Sequence, residues 1–181
     1  MKSSVRKIGL ATATAVLVLS GSLMAAVNGT PGTNVEKAVR HELVMLPYYN
    51  VFDNLSYRVD ANGHVTLYGQ VTRPTLKSDA ANVVKRLEGV TGVTNDIEVL
   101  PLSSFDDRIR LAVARAIYGY GPMQRYALGA QPPSHIIVKN GHVTLDGIVA
   151  NEGDKNIANI RANGVSGVFS VDNKLQVEHR G

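Results

Sequence analysis

The sequence of 181 residues contains no cysteine, and this absence excludes several classes of function. Without thiols the chain cannot form disulfides, use a cysteine nucleophile or hold a metal through cysteine ligands. It has no cysteine to carry a lipid, so we expect that it is not a lipoprotein. It also lacks a G-x-S-x-G elbow, and its glycine-rich loops lack the lysine and hydroxyl residue of a phosphate-binding loop. We therefore expect no catalytic residues and no enzyme.

Histidine is scarce as well, and its five positions do not form a metal-binding pattern. His64 and His142 each follow an Asn-Gly pair, but they lie in separate halves of the chain. The other three histidines are isolated from both. On this basis we expect neither a metal site nor a cofactor.

Long apolar runs are absent except at the N-terminus, where Ile8–Leu19 follows three basic residues and precedes a stretch of small residues. This order is typical of a secretory signal peptide. The run is short for a membrane span, which needs about 20 residues. We predict a signal peptide over residues 1–26, cleaved after Ala25 or Ala26, and a periplasmic product. An uncleaved N-terminal anchor is the alternative.

The excess of positive charge comes mostly from that segment. Three of the 19 basic residues lie in it, which leaves 16 basic against 15 acidic residues in the mature chain. Nucleic-acid binding requires a clustered basic face, and a nearly balanced chain does not indicate one. We therefore expect no nucleic-acid partner.

An internal duplication is the strongest positive signal. Asn62–Val71 returns as Asn140–Val149, 78 residues later, with two of its residues changed. A second pair, Gly89–Val93 and Gly164–Val168, follows in the same order. Repeats of this kind indicate one folding unit used twice.

Within each repeat, hydrophobic periodicity predicts the order helix, strand, strand, helix, strand. The first helix has an apolar stripe, which Thr33 or Asn34 would cap and Pro47 would end. The matching stripes are Val35, Val39 and Leu43 in the first repeat, and Ile109, Val113 and Ile117 in the second.

An Asn-Gly turn joins the two strands of each hairpin, since both residues tolerate positive φ. The second helix begins at Pro74 in the first repeat. Its counterpart, at about 152–163, is predicted to be three residues shorter, with Asn151 as N-cap and Ile157 and Ile160 on its apolar face.

These elements predict an α+β protein of two tandem domains, each with a small three-stranded sheet packed by two helices. We place domain 1 at residues 33–100, a linker at 101–104 and domain 2 at 105–178. Six glycines are assigned structural roles in turns, helix ends and close contacts. They are Gly63, Gly69, Gly89, Gly141, Gly147 and Gly164.

A hairpin of the form N-G-x-V-T-L-x-G-x-V, followed by a helix that ends in G-V-x-G-V and a strand, resembles the BON domain. A signal peptide with two such domains is similar to the osmotically inducible Y-like group of that family. The resemblance implies a noncatalytic periplasmic protein that binds anionic phospholipid or the envelope surface and supports envelope integrity under stress. It also implies possible envelope-protein partners. The alternative function is a periplasmic chaperone or protein-interaction module.

Aromatic and basic residues are concentrated at the end of the first helix of domain 2 and just beyond it. Rings at headgroup depth and guanidinium groups on phosphate would suit an interfacial surface. The alternative is that the tyrosines cover the end of the core. The candidate lipid-binding residues are Arg108, Arg115, Tyr118, Tyr120, Arg125 and Tyr126.

Overall fold

The computed structural model describes residues 31–128 and 133–178, so the predicted signal peptide lies outside the described residues. The first half contains α1 Pro31–Val44, β1 Asn54–Val59, β2 His64–Val71, α2 Pro74–Val84, β3 Gly92–Asn95 and β4 Glu98–Val99. The second half contains α3 Ser104–Tyr118, a 3₁₀ helix Gly121–Tyr126, β5 Ser134–Lys139, β6 His142–Val149, α4 Glu152–Asn163, β7 Ser170–Asn173 and β8 Gln176–Val177.

Each half forms its own sheet with the same topology. β2 is central, antiparallel to β1 and parallel to β3 and β4. β6 is likewise central between β5 and the pair β7 and β8. The last predicted strand is thus divided in two, and the break buries Ile97 in domain 1 and Leu175 in domain 2. The predicted α+β fold of two tandem units is confirmed.

Each domain has a separate apolar core between its helices and one face of its sheet. The predicted stripe of α1 is buried at Val35, Val39 and Leu43, and that of α3 is buried at Ile109, Val113 and Ile117. The central strands supply the other side through alternate residues, as the pleat of a strand requires. The helices of both domains therefore cover one sheet face only.

The helix ends differ in part from the sequence prediction. α1 begins at Pro31, so Thr33 and Asn34 lie inside its first turns and neither is the N-cap. It ends at Val44, before Pro47 is reached. α3 begins at Ser104, a residue that we assigned to the linker, because the Ser103 hydroxyl accepts a hydrogen bond from the Asp106 amide at 3.1 Å. Such a side-chain acceptor at the N-cap fixes where a helix starts.

The prediction that the second helix is shorter in domain 2 than in domain 1 is wrong. α2 has 11 residues and α4 has 12, and Asn151 caps α4 as predicted. The offset of 78 continues past the helix, since the Thr91 amide bonds Gly63 and the Phe169 amide bonds Gly141.

The glycine that corresponds to Gly89 is therefore Gly167, and not Gly164. Gly89 and Gly167 have φ of 84° and 91°, where L side chains are strained. Gly164 is the C-cap of α4, the helix end at which it was predicted, but its φ of −75° and the space for a Cβ mean that the position does not require glycine.

Gly69 and Gly147 lie in the middle strands with φ of 121° and 117°. The close contact at each is with the adjacent backbone of the hairpin, because a Cβ on Gly147 would lie 2.2 Å from the Pro133 carbonyl oxygen. A Cβ on Gly69 would lie 2.1 Å from the Asn54 carbonyl oxygen. Both domains thus require glycine here for the same backbone reason.

The loop before β1 and the first residue of β1 contact the β5 edge and the outer face of the second sheet. The Ile136 amide donates to the Val51 carbonyl at 2.7 Å, and the Asn54 amide group donates to the Asp146 carboxylate at 2.8 Å. Phe52, next to Val51, packs against the core of domain 2.

Candidate functional site

The structure divides the six predicted lipid-binding residues into two groups with different surroundings. Tyr118, Arg125 and Tyr126 are engaged in contacts that hold domain 2 together. Arg108, Arg115 and Tyr120 are exposed on the helix layer. The six residues therefore do not form one surface, and the exposed group defines where a site can lie.

Tyr126 is buried, and it belongs to a polar cluster built around Asp154. Its hydroxyl donates to the Asp154 carboxylate at 2.5 Å and accepts the Ala150 amide at 2.8 Å. The side chain of Asn151 donates to the same carboxylate at 3.0 Å. Arg125 forms an ion pair with Asp154. Buried carboxylates need such partners, so this cluster has a structural role.

Tyr118 also faces inward. Its hydroxyl lies 3.1 Å from the Ser134 hydroxyl, and burial raises the pKa of the Tyr118 phenol. The ring packs against the core of domain 2. For Tyr118 and Tyr126, the alternative that the tyrosines cover the end of the core is the one that the structure shows.

α3 presents basic and apolar side chains on its outer side. Arg108, Leu111 and Arg115 are exposed, and their spacing of three and four residues places them in one row. The buried stripe of α3 lies on the opposite side. The outer row contains no carboxylate between Arg108 and Arg115.

An open groove of about 470 Å³ lies beside that row, between α3 and α4. Tyr120 and Arg161 stand at it together, with the guanidinium carbon 4.2 Å from the ring centroid. Its lining is otherwise small or apolar and comprises Ala116, Ile157, Ile160, Gly164 and Val165. The groove can therefore receive an apolar group and place a cation beside it.

Ile160 is the residue that the sequence analysis placed wrongly. It was predicted on the apolar face of α4, but it is 68% exposed, and the buried positions are Asp154, Ala158 and Ala162. Neither Ile160 nor Arg161 was proposed as a site residue. The offset of 78 could have identified them, since it aligns Ile160 with the polar Asn82 of domain 1.

We call the exposed set the α3–α4 face. It consists of Arg108, Leu111, Arg115, Tyr120, Ile160 and Arg161. Domain 1 does not repeat it, because Glu42, Asp79 and Asn82 occupy the positions of Ala116, Ile157 and Ile160. The α3–α4 face thus combines three arginines with three large apolar or aromatic side chains on one domain only.

Residues 31–128 and 133–178 contain no group of three or more histidine, aspartate or glutamate side chains that could hold a metal ion. No helix in the same ranges is long and apolar enough to cross a bilayer. The chemistry available at the α3–α4 face is cation binding to anions and insertion of apolar groups.

The fold and this face define a duplicated α+β binding module. The chain belongs to the BON domain family, whose model matches residues 32–101 and 127–179. The BON domain is a noncatalytic, binding-type domain, and the family is often associated with phospholipid binding and envelope stress.

Comparison with solved structures gives distant likenesses only. The C-terminal domain of CdsD, a structural protein of the type III secretion system of Chlamydia trachomatis, is 13% identical with a TM-score of 0.34. The match covers 79% of this chain and 96% of that chain. A second CdsD structure from the same organism is 13% identical with a TM-score of 0.31, over 81% of this chain and 94% of that chain. No curated protein matches the sequence.

Proposed function

We propose that this protein is a noncatalytic periplasmic binding protein that attaches to anionic phospholipid surfaces through the α3–α4 face and supports the envelope under stress. The observation that carries the proposal is the pairing of exposed arginines with exposed apolar side chains on one side of domain 2. Domain 1 also exposes cations on its helix layer, but Glu42, Asp79 and Asn82 stand at the positions of Ala116, Ile157 and Ile160.

The arginines supply the attraction to anionic headgroups. Arg108 and Arg115 lie in one exposed row of α3, and Arg161 stands at the neighbouring groove. Each basic residue near an anionic membrane surface contributes about 1 kcal/mol, and this contribution falls off within a Debye length. Three of them together would strengthen binding by roughly a hundredfold at low salt.

The apolar side chains supply a contribution that salt does not screen. Ile160 and Leu111 project to solvent, and the Tyr120 ring is about one-third exposed beside them. A ring with a polar tip suits the boundary between headgroups and acyl chains. Such side chains would be buried on contact with a bilayer, which offsets the cost of exposing them in the free protein.

Co-sedimentation with vesicles tests the proposal. We expect the full mature chain to bind vesicles with an anionic lipid fraction more tightly than neutral vesicles, with the difference reduced at high salt. Replacing Arg108, Arg115 and Arg161 with glutamine should weaken anionic binding by roughly a hundredfold.

The matched control replaces Lys37, Arg40 and Lys85 of domain 1, which are also exposed helix-layer cations. This variant removes the same formal charge, and we expect a clearly smaller loss. Equal binding to neutral and anionic vesicles, or equal losses in the two variants, would contradict the proposal.

A further inference from the structure

β1 is an edge strand, and the outer side of its second half has no backbone partner. The Asp60 amide donates to the His64 carbonyl at 2.9 Å, which sets the alternation of the β1–β2 ladder. In that alternation the amides and carbonyls of Tyr57 and Val59 point away from β2. Among the residues that the structure describes, none forms a hydrogen bond with these outward groups.

On the corresponding edge of domain 2, one outward backbone group of each equivalent residue has a partner. The Ser134 carbonyl lies 3.4 Å from the Tyr118 hydroxyl, and the Ile136 amide bonds Val51 at 2.7 Å. The Val138 carbonyl accepts a hydrogen bond from Arg110 at 2.7 Å.

In domain 1, α1 provides no side chains that could form the equivalent hydrogen bonds. The residues of α1 that align with Arg110 and Tyr118 are Glu36 and Val44. Neither has a side chain that can donate a hydrogen bond to a strand edge at neutral pH. The second half of the edge strand is therefore partly covered in domain 2 and left open in domain 1.

A groove of about 570 Å³ lies between β1 and the second half of α1 and meets the open part of the edge at Tyr57. Domain 2 bounds it through Pro133, His135 and Ile148, the last of which is largely exposed. Domain 1 lines it with Arg40, Leu43, Val44, Tyr49, Leu55 and Tyr57. Arg40 is the charged side chain of this lining, so the groove favours a partner with a negative charge.

We infer that this groove binds an extended segment of another polypeptide, which adds to β1 as an outer strand. The unpaired backbone groups of Tyr57 and Val59 supply the main-chain hydrogen bonds of this recognition mode. Because neighbouring side chains of a strand point to opposite sides, the segment needs apolar residues at alternate positions. An acidic residue on the groove side would face Arg40. This site is separate from the α3–α4 face and does not depend on the proposed membrane binding.

The probe for the test is a fluorescein-labelled octapeptide with valine at alternate positions, threonine at the others and one valine replaced by aspartate. Its binding to the full mature chain is followed by fluorescence anisotropy. Two further forms of the peptide carry N-methyl groups on alternate amides, one form for each side of the strand. We expect one form to bind roughly tenfold or more weakly and the other to bind as the parent does, since only one set of amides faces β1. Equal binding of both forms would overturn the inference.

Variants locate the binding. Arg40→Glu should weaken binding of the aspartate peptide and strengthen binding of a peptide that has lysine in place of the aspartate. Val59→Pro removes one outward amide, a change that edge strands tolerate, and circular dichroism checks that the variant folds. If that variant does not fold, the comparison of the aspartate and lysine peptides on Arg40→Glu decides the test. Unchanged preference for aspartate in Arg40→Glu would overturn the inference.

Two exposed isoleucines provide a matched pair. Ile148→Ser alters the groove, and Ile160→Ser alters the α3–α4 face, in both cases without adding charge. We expect the substitution at position 148 to weaken peptide binding and leave vesicle binding unchanged. We expect the substitution at position 160 to weaken vesicle binding and leave peptide binding unchanged. The two proposals can therefore fail separately. Light scattering tests for a dimer. If a dimer forms, if Val59→Pro abolishes it and if the peptide does not compete with it, the edge is an interface between two copies of the chain. That result would overturn the inference.

Discussion

The two domains fill equivalent positions of the same fold with opposite chemistry. Leu76 of α2 is 1% exposed and is part of an apolar core. The residue 78 positions later is Asp154 of α4, which is equally buried but bonded to Tyr126, Asn151 and Arg125. Domain 1 has apolar contacts at the Leu76 position, and its buried carboxylate at this end is Asp53, which accepts hydrogen bonds from the Thr72 amide and hydroxyl. Domain 2 places its buried carboxylate on the helix itself, at Asp154.

The difference arises from one segment that domain 1 lacks. The 3₁₀ helix Gly121–Tyr126 follows α3 and carries Arg125 and Tyr126 to the first turn of α4. Tyr120, which precedes this helix, reaches Arg161 at the groove between α3 and α4. One insertion thus satisfies a buried carboxylate and also builds part of an exposed surface. The two copies therefore differ in surface chemistry where this insertion lies.

The largest expected effect comes from a feature that the domains share. Gly147→Val places a Cβ against the Pro133 carbonyl at a φ of 117°, and we expect a loss of about 3 kcal/mol in the free energy of unfolding. Gly164→Ala should change it by less than about 0.5 kcal/mol, because that position has space and ordinary φ. Urea denaturation measures both. A small loss for Gly147→Val would mean that the hairpin can shift.

A smaller effect tests the polar closure of domain 2 directly. Asp154→Leu restores the residue type of domain 1, yet we expect it to destabilise by about 2 kcal/mol, because Tyr126 and Asn151 lose their acceptor. Adding Tyr126→Phe should recover part of that loss. A double-mutant cycle in urea measures the coupling. If Asp154→Leu alone stabilises the protein, the cluster is not what closes this domain.

The smallest effect concerns the junction between the domains, where the His135 and Tyr49 rings lie 5.7 Å apart. Burial lowers the pKa of His135 from its ordinary value of 6.5, and burial raises that of Tyr49 to about 12. The unfolded chain then binds a proton at His135 more readily than the folded chain does. Stability is therefore full above pH 6.5 and falls as the pH drops below it.

Thermal unfolding between pH 7.5 and pH 5 measures this decline in stability. We expect His135→Gln to flatten part of the curve, because the titrating ring is removed. A curve for this variant that keeps the full decline would mean that other groups cause it.

The hydrophobic pattern was sufficient to predict the fold but not to predict which side chains lie on the surface. Alternation around Asn-Gly and the stripes of α1 and α3 depend on burial, and burial is recorded in the sequence as period 2 and period 3.6. The buried face of α4 was predicted wrongly because its buried positions are Asp154, Ala158 and Ala162, which have small or polar side chains. Ile160 was then taken for a core residue when its side chain is exposed.

The candidate site was predicted in part for a related reason. Arg108, Arg115 and Tyr120 could be identified from composition, since they lie on or beside one helix. The partners of Tyr126 and Arg125 could not, because Asp154 lies 28 or 29 residues away and only the fold brings them together. Long-range contacts of this kind leave no periodic signal in a single sequence.

The most direct test of the account uses the absence of cysteine from the chain. Ile160→Cys and Asn82→Cys place single thiols at equivalent exposed positions of α4 and α2, and each is labelled with a polarity-sensitive fluorophore. On addition of anionic vesicles we expect a blue shift for the label at position 160 and little change for the label at position 82. Equal shifts at both positions, or a shift only at position 82, would contradict the claim that the α3–α4 face of domain 2 contacts the membrane.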